Sequence, residues 1–127
     1  MSAMDRIGRR SVLSCPDCHG AMWEIDEGDL VRYRCHVGHA YTAELMDLAF
    51  DEDLQRSLTT ALRVLDERVG LAQKLHKEAS DKARTHHAAS WAQIASDVER
   101  EAELLRQSIR RFDQMAARYV RDTRRIE

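Results

Sequence analysis

Turn-forming residues are scarce in this sequence. Five glycines and one proline among 127 residues are too few for a sandwich or barrel of many short strands. Cysteine is present only three times. An odd number cannot close a disulfide framework, which argues against a stapled secreted domain. Aromatic residues make up only 6%. No apolar run approaches the length of a membrane span, and the N-terminus lacks a signal-peptide hydrophobic stretch. The expectation is a soluble protein of a reducing cytoplasm, without membrane contact. Neither sign of charge dominates: 20 Lys and Arg stand against 22 Asp and Glu, a net charge of −2. Bulk electrostatics therefore do not call for nucleic acid. The length allows one domain, or a small module with an extension.

What is present is unevenly placed. Gly8, Gly20, Gly28, Gly38, Pro16 and all three cysteines precede Ala40, and only Gly70 follows. This composition predicts a turn-rich head over residues 1–41 and a helical body over 42–127. The fold expected is mainly α with a small β zinc ribbon: an N-terminal two-stranded ribbon followed by a long antiparallel helical hairpin. The strands fall at Ala21 to Asp26 and Leu30 to Arg34, around a Glu27-Gly28-Asp29 turn. Alternation gives Trp23 and Ile25 a common face, and Val31 and Tyr33 a common face on the partner strand. If those two faces coincide, the four residues form a mini-core. Residues before Ser11, with Arg6, Arg9 and Arg10, read as a loose basic arm.

The body has helical periodicity. Thr42 is placed to cap a first helix over about 43–82, with Glu44 in its first turn. Leu45, Met46, Leu48, Ala49 and Phe50 form an apolar segment suited to packing on the head. The acidic run Asp51-Glu52-Asp53 marks a possible break near 50–53. Leu58, Leu62, Leu65, Val69, Ala72 and Leu75 then recur at heptad-like steps. A second stripe, Trp91, Ala95, Val98, Ala102, Leu105, Ile109, Phe112, Ala116 and Tyr119, keeps alternating steps of four and three, a coiled-coil pattern over a second helix of about 86–125. The reversal falls between Asp81 and His87, with Thr85 as a candidate cap. Folding back would bring Glu44, Asp47, Asp51, Glu52 and Asp53 to the same end as Arg110, Arg111, Arg118, Arg121, Arg124 and Arg125. A solvated face paired with that acidic patch is the favoured reading of the arginines over nucleic-acid binding.

The chemically loaded residues are Cys15, Cys18, Cys35 and His39. They read C-P-D-C-H-G, then sixteen residues between Cys18 and Cys35, then C-H-V-G-H. This is zinc-ribbon spacing. A tetrahedral ion with Zn–S near ~2.3 Å takes two donors from each of two tight turns, and a hairpin between the turns brings them together. Gly20 and Gly38 stand where such turns often need positive φ. His39 is favoured as fourth ligand. His36 adjoins Cys35 and would have to turn back on the same ion, and His19 is less suited again. His76, His86 and His87 read as helix-surface or turn residues. A Cys-x-x-Cys redox pair is disfavoured, because the βαβ context of such motifs is missing. Four protein ligands leave no open position, so one structural Zn2+ per chain is expected; iron suits a site with one imidazole in place of a thiolate less well. A head of about 40 residues seldom buries enough surface to fold alone, and a structural metal makes up the shortfall.

The run Cys15-Pro16-Asp17-Cys18-His19-Gly20-Ala21-Met22-Trp23-Glu24, followed by Val31-Arg32-Tyr33-Arg34-Cys35-His36-Val37-Gly38-His39-Ala40-Tyr41-Thr42, resembles the zinc ribbon and helical tail that follow the catalytic domain in some bacterial chemotaxis methylesterase-like proteins. The resemblance covers the head closely and the body only as a two-helix pattern. It implies a bacterial signalling setting with chemotaxis-type protein partners. The methylesterase chemistry does not carry over: no G-x-S-x-G is present, and a chain this short and helical has no parallel sheet to hold one. The leading expectation is a non-catalytic zinc-stabilised interaction module. Leu71, Ile94, Leu104, Met115 and Val120 widen the apolar stripes beyond a two-helix seam and predict a homodimer through a four-helix bundle. The alternatives are a nucleic-acid-binding ribbon, using the arginines of 106–125 with Arg6, Arg9 and Arg10, and a thiol-based redox or metal sensor.

Overall fold

The computed structural model of the chain describes residues 3–126, and side chains as far as Asp122. Arg124 and Arg125 therefore lie outside the described side chains. A 3-10 turn, Ala3–Arg6, leads into four strands: β1 (Arg9–Ser14), β2 (Ala21–Glu27), β3 (Leu30–Cys35) and β4 (Ala40–Thr42). They form one antiparallel sheet in the order β1-β2-β3-β4. Two helices follow, α1 (Ala43–Asp81) and α2 (Thr85–Ile126). By packing, one compact unit ends at Leu54 and the other begins at Gln55. The opening turns of α1 thus belong to the sheet's unit. No described helix is long and apolar enough to cross a membrane.

The β2–β3 hairpin forms where the pattern of hydrophobic and turn residues placed it. Glu27 pairs with Leu30, and Gly28 takes φ 64° in the two-residue turn between them, a conformation that costs glycine little. The ribbon has four strands rather than two. β4 is the short return of the chain from the second Cys/His turn, pairing Tyr41 with Tyr33. β1 recruits the segment read as a loose arm. Arg9 reaches Asp26 at 3.1 Å and Glu24 at 3.6 Å. Arg10 lies over the Trp23 ring and 3.4 Å from Asp5. Cross-strand partners of this kind order a charged segment that has no apolar alternation of its own.

The register also decides the faces. Met22 stands opposite Cys35, Glu24 opposite Tyr33 and Asp26 opposite Val31. Directly paired residues share a face, so Tyr33 and Val31 lie on the opposite side of the sheet from Trp23 and Ile25, and the four do not form one mini-core. The core is instead Cys15, Met22, Cys35 and Met46, with Leu13, Tyr33, Tyr41 and Phe50 against it. Trp23 is buried on the other face, where its Nε1–H donates to Asp5 Oδ1 at 2.8 Å. Met4 is buried in the turn leading to this strand.

Thr42 caps α1, its Oγ1 accepting the Leu45 N–H at 3.2 Å. The apolar opening of α1 is used selectively. Met46 and Phe50, one turn apart, pack on the core, whereas Leu45 and Leu48 stay exposed. The helix runs through Asp51-Glu52-Asp53 without a break. An acidic run carries no Gly or Pro, and helix propensity alone does not stop there.

In the second unit α1 and α2 run antiparallel. Asp66 meets Arg106 at 2.5 Å, and His76 Nδ1 lies 2.7 Å from the Ala88 carbonyl, so later residues of one helix meet earlier residues of the other. The stripe residues from Leu58 to Leu75 and from Trp91 to Ala116 are buried or half-buried, while Tyr119 is exposed. Arg106 also contacts Glu99 and Glu103, and holds the Glu103 carboxyl below its ordinary range. Arg110 pairs with Glu103 on its own helix.

The reversal is built without glycine. The Arg84 N–H reaches the Ala79 carbonyl (2.8 Å), the Ala83 N–H reaches that of Ser80 (3.0 Å), and Ala83 has φ 57°. This is a Schellman closure with alanine at the left-handed position. Arg84 supplies the first carbonyl of α2, accepting from Ala88 N–H, so Thr85 is the first helical residue and not its cap. Left-handed alanine costs about 1–2 kcal/mol, of which a glycine returns part as unfolded-state entropy. Ala83→Gly is therefore expected to stabilise the hairpin by about 0.5–1 kcal/mol, read as a higher denaturant midpoint at unchanged m.

Candidate metal centre

Two tight turns present the site. In the first, Cys15 N–H donates to the Gly20 carbonyl (2.7 Å) and His19 N–H to the Cys15 carbonyl (2.8 Å). In the second, Cys35 N–H donates to the His39 carbonyl (3.0 Å) and Gly38 N–H to the Cys35 carbonyl (3.1 Å). Each turn opens on a cysteine at the end of a strand, after β1 or closing β3, and returns the chain into the next strand of the sheet. The positive φ falls on Gly38 (108°) as anticipated, but in the first turn it falls on His19 (62°) and not on Gly20. A Cβ on Gly20 would sit 3.5 Å from Cys18 Sγ, so glycine there keeps the space beside the sulfur open.

The ligating atoms of Cys15, Cys18, Cys35 and His39 all lie within 4.8 Å of one another. Cys18 Sγ is 3.7 Å from Cys35 Sγ. His39 Nδ1 is 3.3 Å from Cys35 Sγ and 3.6 Å from Cys15 Sγ. A tetrahedral ion with bonds of about 2.3 Å to sulfur and about 2.0–2.1 Å to nitrogen sets donor separations near ~3.8 Å and ~3.6 Å. The quartet fits such an ion. Among the described residues it is the one group of this kind.

The structure separates the candidate histidines. His39 joins the cysteines through Nδ1, whereas the His36 ring lies 5.4 Å from the Trp23 ring, at 59° to it, engaged with the far face of the sheet. His19 is exposed in its turn and outside the quartet. His86 and His87 stack edge-on at 6.1 Å in the first turn of α2. His76 is half-buried and bonded across the hairpin, more than the surface residue its position suggested.

The site is deep on one side and open on the other. Cys15 and Cys35 are fully buried, and Cys18 is exposed. Burial opposes ionisation of Cys35, but the N–H groups of His39, Gly38 and Val37 outweigh it and bring the thiol down to about 6. Cys18 moves the other way. The Gly20 N–H holds it down, yet desolvation and the neighbouring thiols of Cys15 and Cys35 push it up. The neighbouring sulfurs thus oppose ionisation of Cys18, and a dication at this point would remove that conflict.

Two methionines support the site: Met46 from the apolar segment expected to pack on the head, and Met22, which the sequence pattern did not single out. Met22 sits beside Cys35 across the hairpin, and Met46 packs on the same cluster from α1. The face of Met22 follows from the two-residue turn: with Glu27 paired to Leu30, Met22 falls opposite Cys35. The Tyr41 hydroxyl hydrogen-bonds Asp17, tying β4 to the first turn, and this bond pushes the phenol up to about 12.

The chain matches no protein-family model, no curated protein and no solved structure.

These positions imply different consequences for substitution. Cys35→Ser and His39→Ala are expected to abolish stoichiometric metal binding, whereas His36→Ala and His19→Gly keep it. Titration with Co2+, read by its ligand-field spectrum, distinguishes the two groups. Metal uptake must displace the Cys18 proton, while Cys35 is already largely thiolate at neutral pH. Affinity should thus fall as pH is lowered, more steeply below about 6, where Cys35 also carries a proton. Competition with a chelating dye across that range tests the sign.

Proposed function

We propose that this chain is a non-catalytic zinc-binding interaction module. One zinc ion, held by Cys15, Cys18, Cys35 and His39, stabilises the ribbon, and the helical hairpin mediates protein–protein contact. The observation that carries this reading is the closed donor set inside a core. The four ligating atoms surround a single point, and two of the four residues are completely buried. A site that spends four protein donors leaves no position for substrate or water, which suits a structural ion. Zn2+ has no d-electron geometric preference and accepts mixed sulfur and nitrogen donors, so it fits this set better than iron, whose sites favour all-thiolate ligation.

The ribbon's resemblance to the extension of chemotaxis methylesterase-like proteins supports a role in bacterial signalling. In a reducing cytoplasm the three thiols would remain available to the metal. The basic residues that would serve nucleic acid are in part engaged elsewhere: Arg9, Arg10, Arg106 and Arg110 each contact a carboxylate. That favours protein contact over phosphate contact.

Elemental analysis of protein purified without chelators is expected to give one zinc per chain. Iron in its place, or a folded ribbon carrying no metal, would overturn the reading.

A further inference from the structure

The two flanks of the hairpin are chemically different. Taking Leu62, Val69, Ala95, Ala102 and Ile109 as heptad position a, and Leu65, Ala72, Val98 and Leu105 as d, the Asp66–Arg106 bridge joins two e positions. That bridge fixes one flank, which Glu99, Glu103 and Arg110 extend with further ion pairs. In an antiparallel pair the g positions of both helices meet on the other flank. There the c and g positions carry Val64, Leu71 and Leu75 from α1, with Ile94, Leu104 and Met115 from α2. Val64, Leu71 and Leu104 are 48%, 57% and 51% exposed, although they are large aliphatic residues. One flank is thus satisfied by ion pairs, and the other leaves apolar surface of the kind that further helices cover in a larger bundle.

Four charges fall among the c and g positions of this stretch; Asp97 pairs with Arg100 and Arg111 bonds Ser108, which leaves Arg68 and Glu101, both at g and both exposed. The Asp66–Arg106 and His76–Ala88 contacts bracket them, so they lie at the same level of the hairpin. Neither has an ion pair among the described residues. We propose that this flank is covered by a second copy of the chain, in a four-helix bundle whose two-fold axis runs parallel to the helices. In that arrangement α1 of one copy faces α2 of the other, and Arg68 of each copy meets Glu101 of its partner. Around the bundle the charges then alternate. A two-fold axis perpendicular to the helices would instead set Arg68 against Arg68 and Glu101 against Glu101. A single surface that is apolar and self-complementary in charge is the property an isologous dimer requires. The inference names the partner within the interaction role proposed above.

The test uses the whole chain with its metal. Sedimentation equilibrium of the wild type is expected to give a dimer at micromolar concentration. Arg68→Glu places four negative charges at one level, and Glu101→Arg four positive ones. Each variant alone is expected to weaken dimerisation by at least about tenfold, with helix content and zinc stoichiometry unchanged. Mixing the two variants in equal amounts should restore a dimer containing one chain of each, because every cross-copy pair is again attractive. Leu71→Glu should give a monomer that mixing with either variant does not rescue. A zinc-loaded wild type that stays monomeric would overturn the proposal while leaving the metal reading standing. Variants that remain dimeric, or a mixture that stays monomeric, would equally overturn it, since a pairing confined within one hairpin cannot be rescued by mixing chains. Loss of zinc from the wild type would count against the functional reading and not against this face.

Discussion

The first unit depends on four side chains meeting at one point. A sheet of four short strands and the opening turns of one helix bury little apolar surface, and the core they share is small: Cys15, Met22, Cys35 and Met46, fringed by Leu13, Tyr33, Tyr41 and Phe50. Two of the central residues, Cys15 and Cys35, belong to the quartet that could hold a metal. The centre of this unit is thus the site itself rather than a hydrophobic cluster beside it. Domains of this size usually need a metal or disulfides to fold, and an odd three cysteines favours the metal.

Every element of the unit can be read as serving that point. The β2–β3 hairpin carries Cys35 back to the turn that holds Cys15 and Cys18, and its register sets Met22 against Cys35. β4 returns the chain after His39 and pairs with β3. The Tyr41 hydroxyl then bonds to Asp17 in the first turn. Thr42 starts α1 at once, which delivers Met46 to the core. The opposite face of the sheet has separate work. Trp23 is buried there beneath Asp5, Arg10 and His36, and by occupying His36 this face helps decide which histidine is free to act as a ligand.

Much of this was legible in the sequence, for a physical reason. Metal ligands are constrained by the ion's geometry, so Cys-x-x-Cys and Cys-x-x-x-His mark the turns without knowledge of the rest of the fold. The helices were equally visible, because the stripes from Leu58 and from Trp91 repeat over many turns. The parity of the hairpin was hidden. Placing Trp23 and Ile25 with Val31 and Tyr33 was an even-handed choice until the Met22–Cys35 pairing settled it, since a shift of one residue exchanges the faces. β1 was hidden too, because Arg9 and Arg10 join the sheet through charge and a cation–π contact that leave no hydrophobic alternation. The left-handed residues His19 and Ala83 could not be found from composition. Both stand where glycine is the usual signal, and local hydrogen bonds hold them there instead.

The hairpin of the second unit relies on a different principle, two long periodic stripes that bury each other, so the two units should respond differently to loss of the ion. Amide hydrogen exchange of the whole chain, measured with zinc bound and again after chelation, tests this most directly. The account predicts that protection over β1 to β4 collapses on chelation while the amides of α1 and α2 beyond Gln55 remain protected. Unchanged protection of the strands after complete metal removal would contradict the claim that the Cys15, Cys18, Cys35 and His39 site holds the ribbon together.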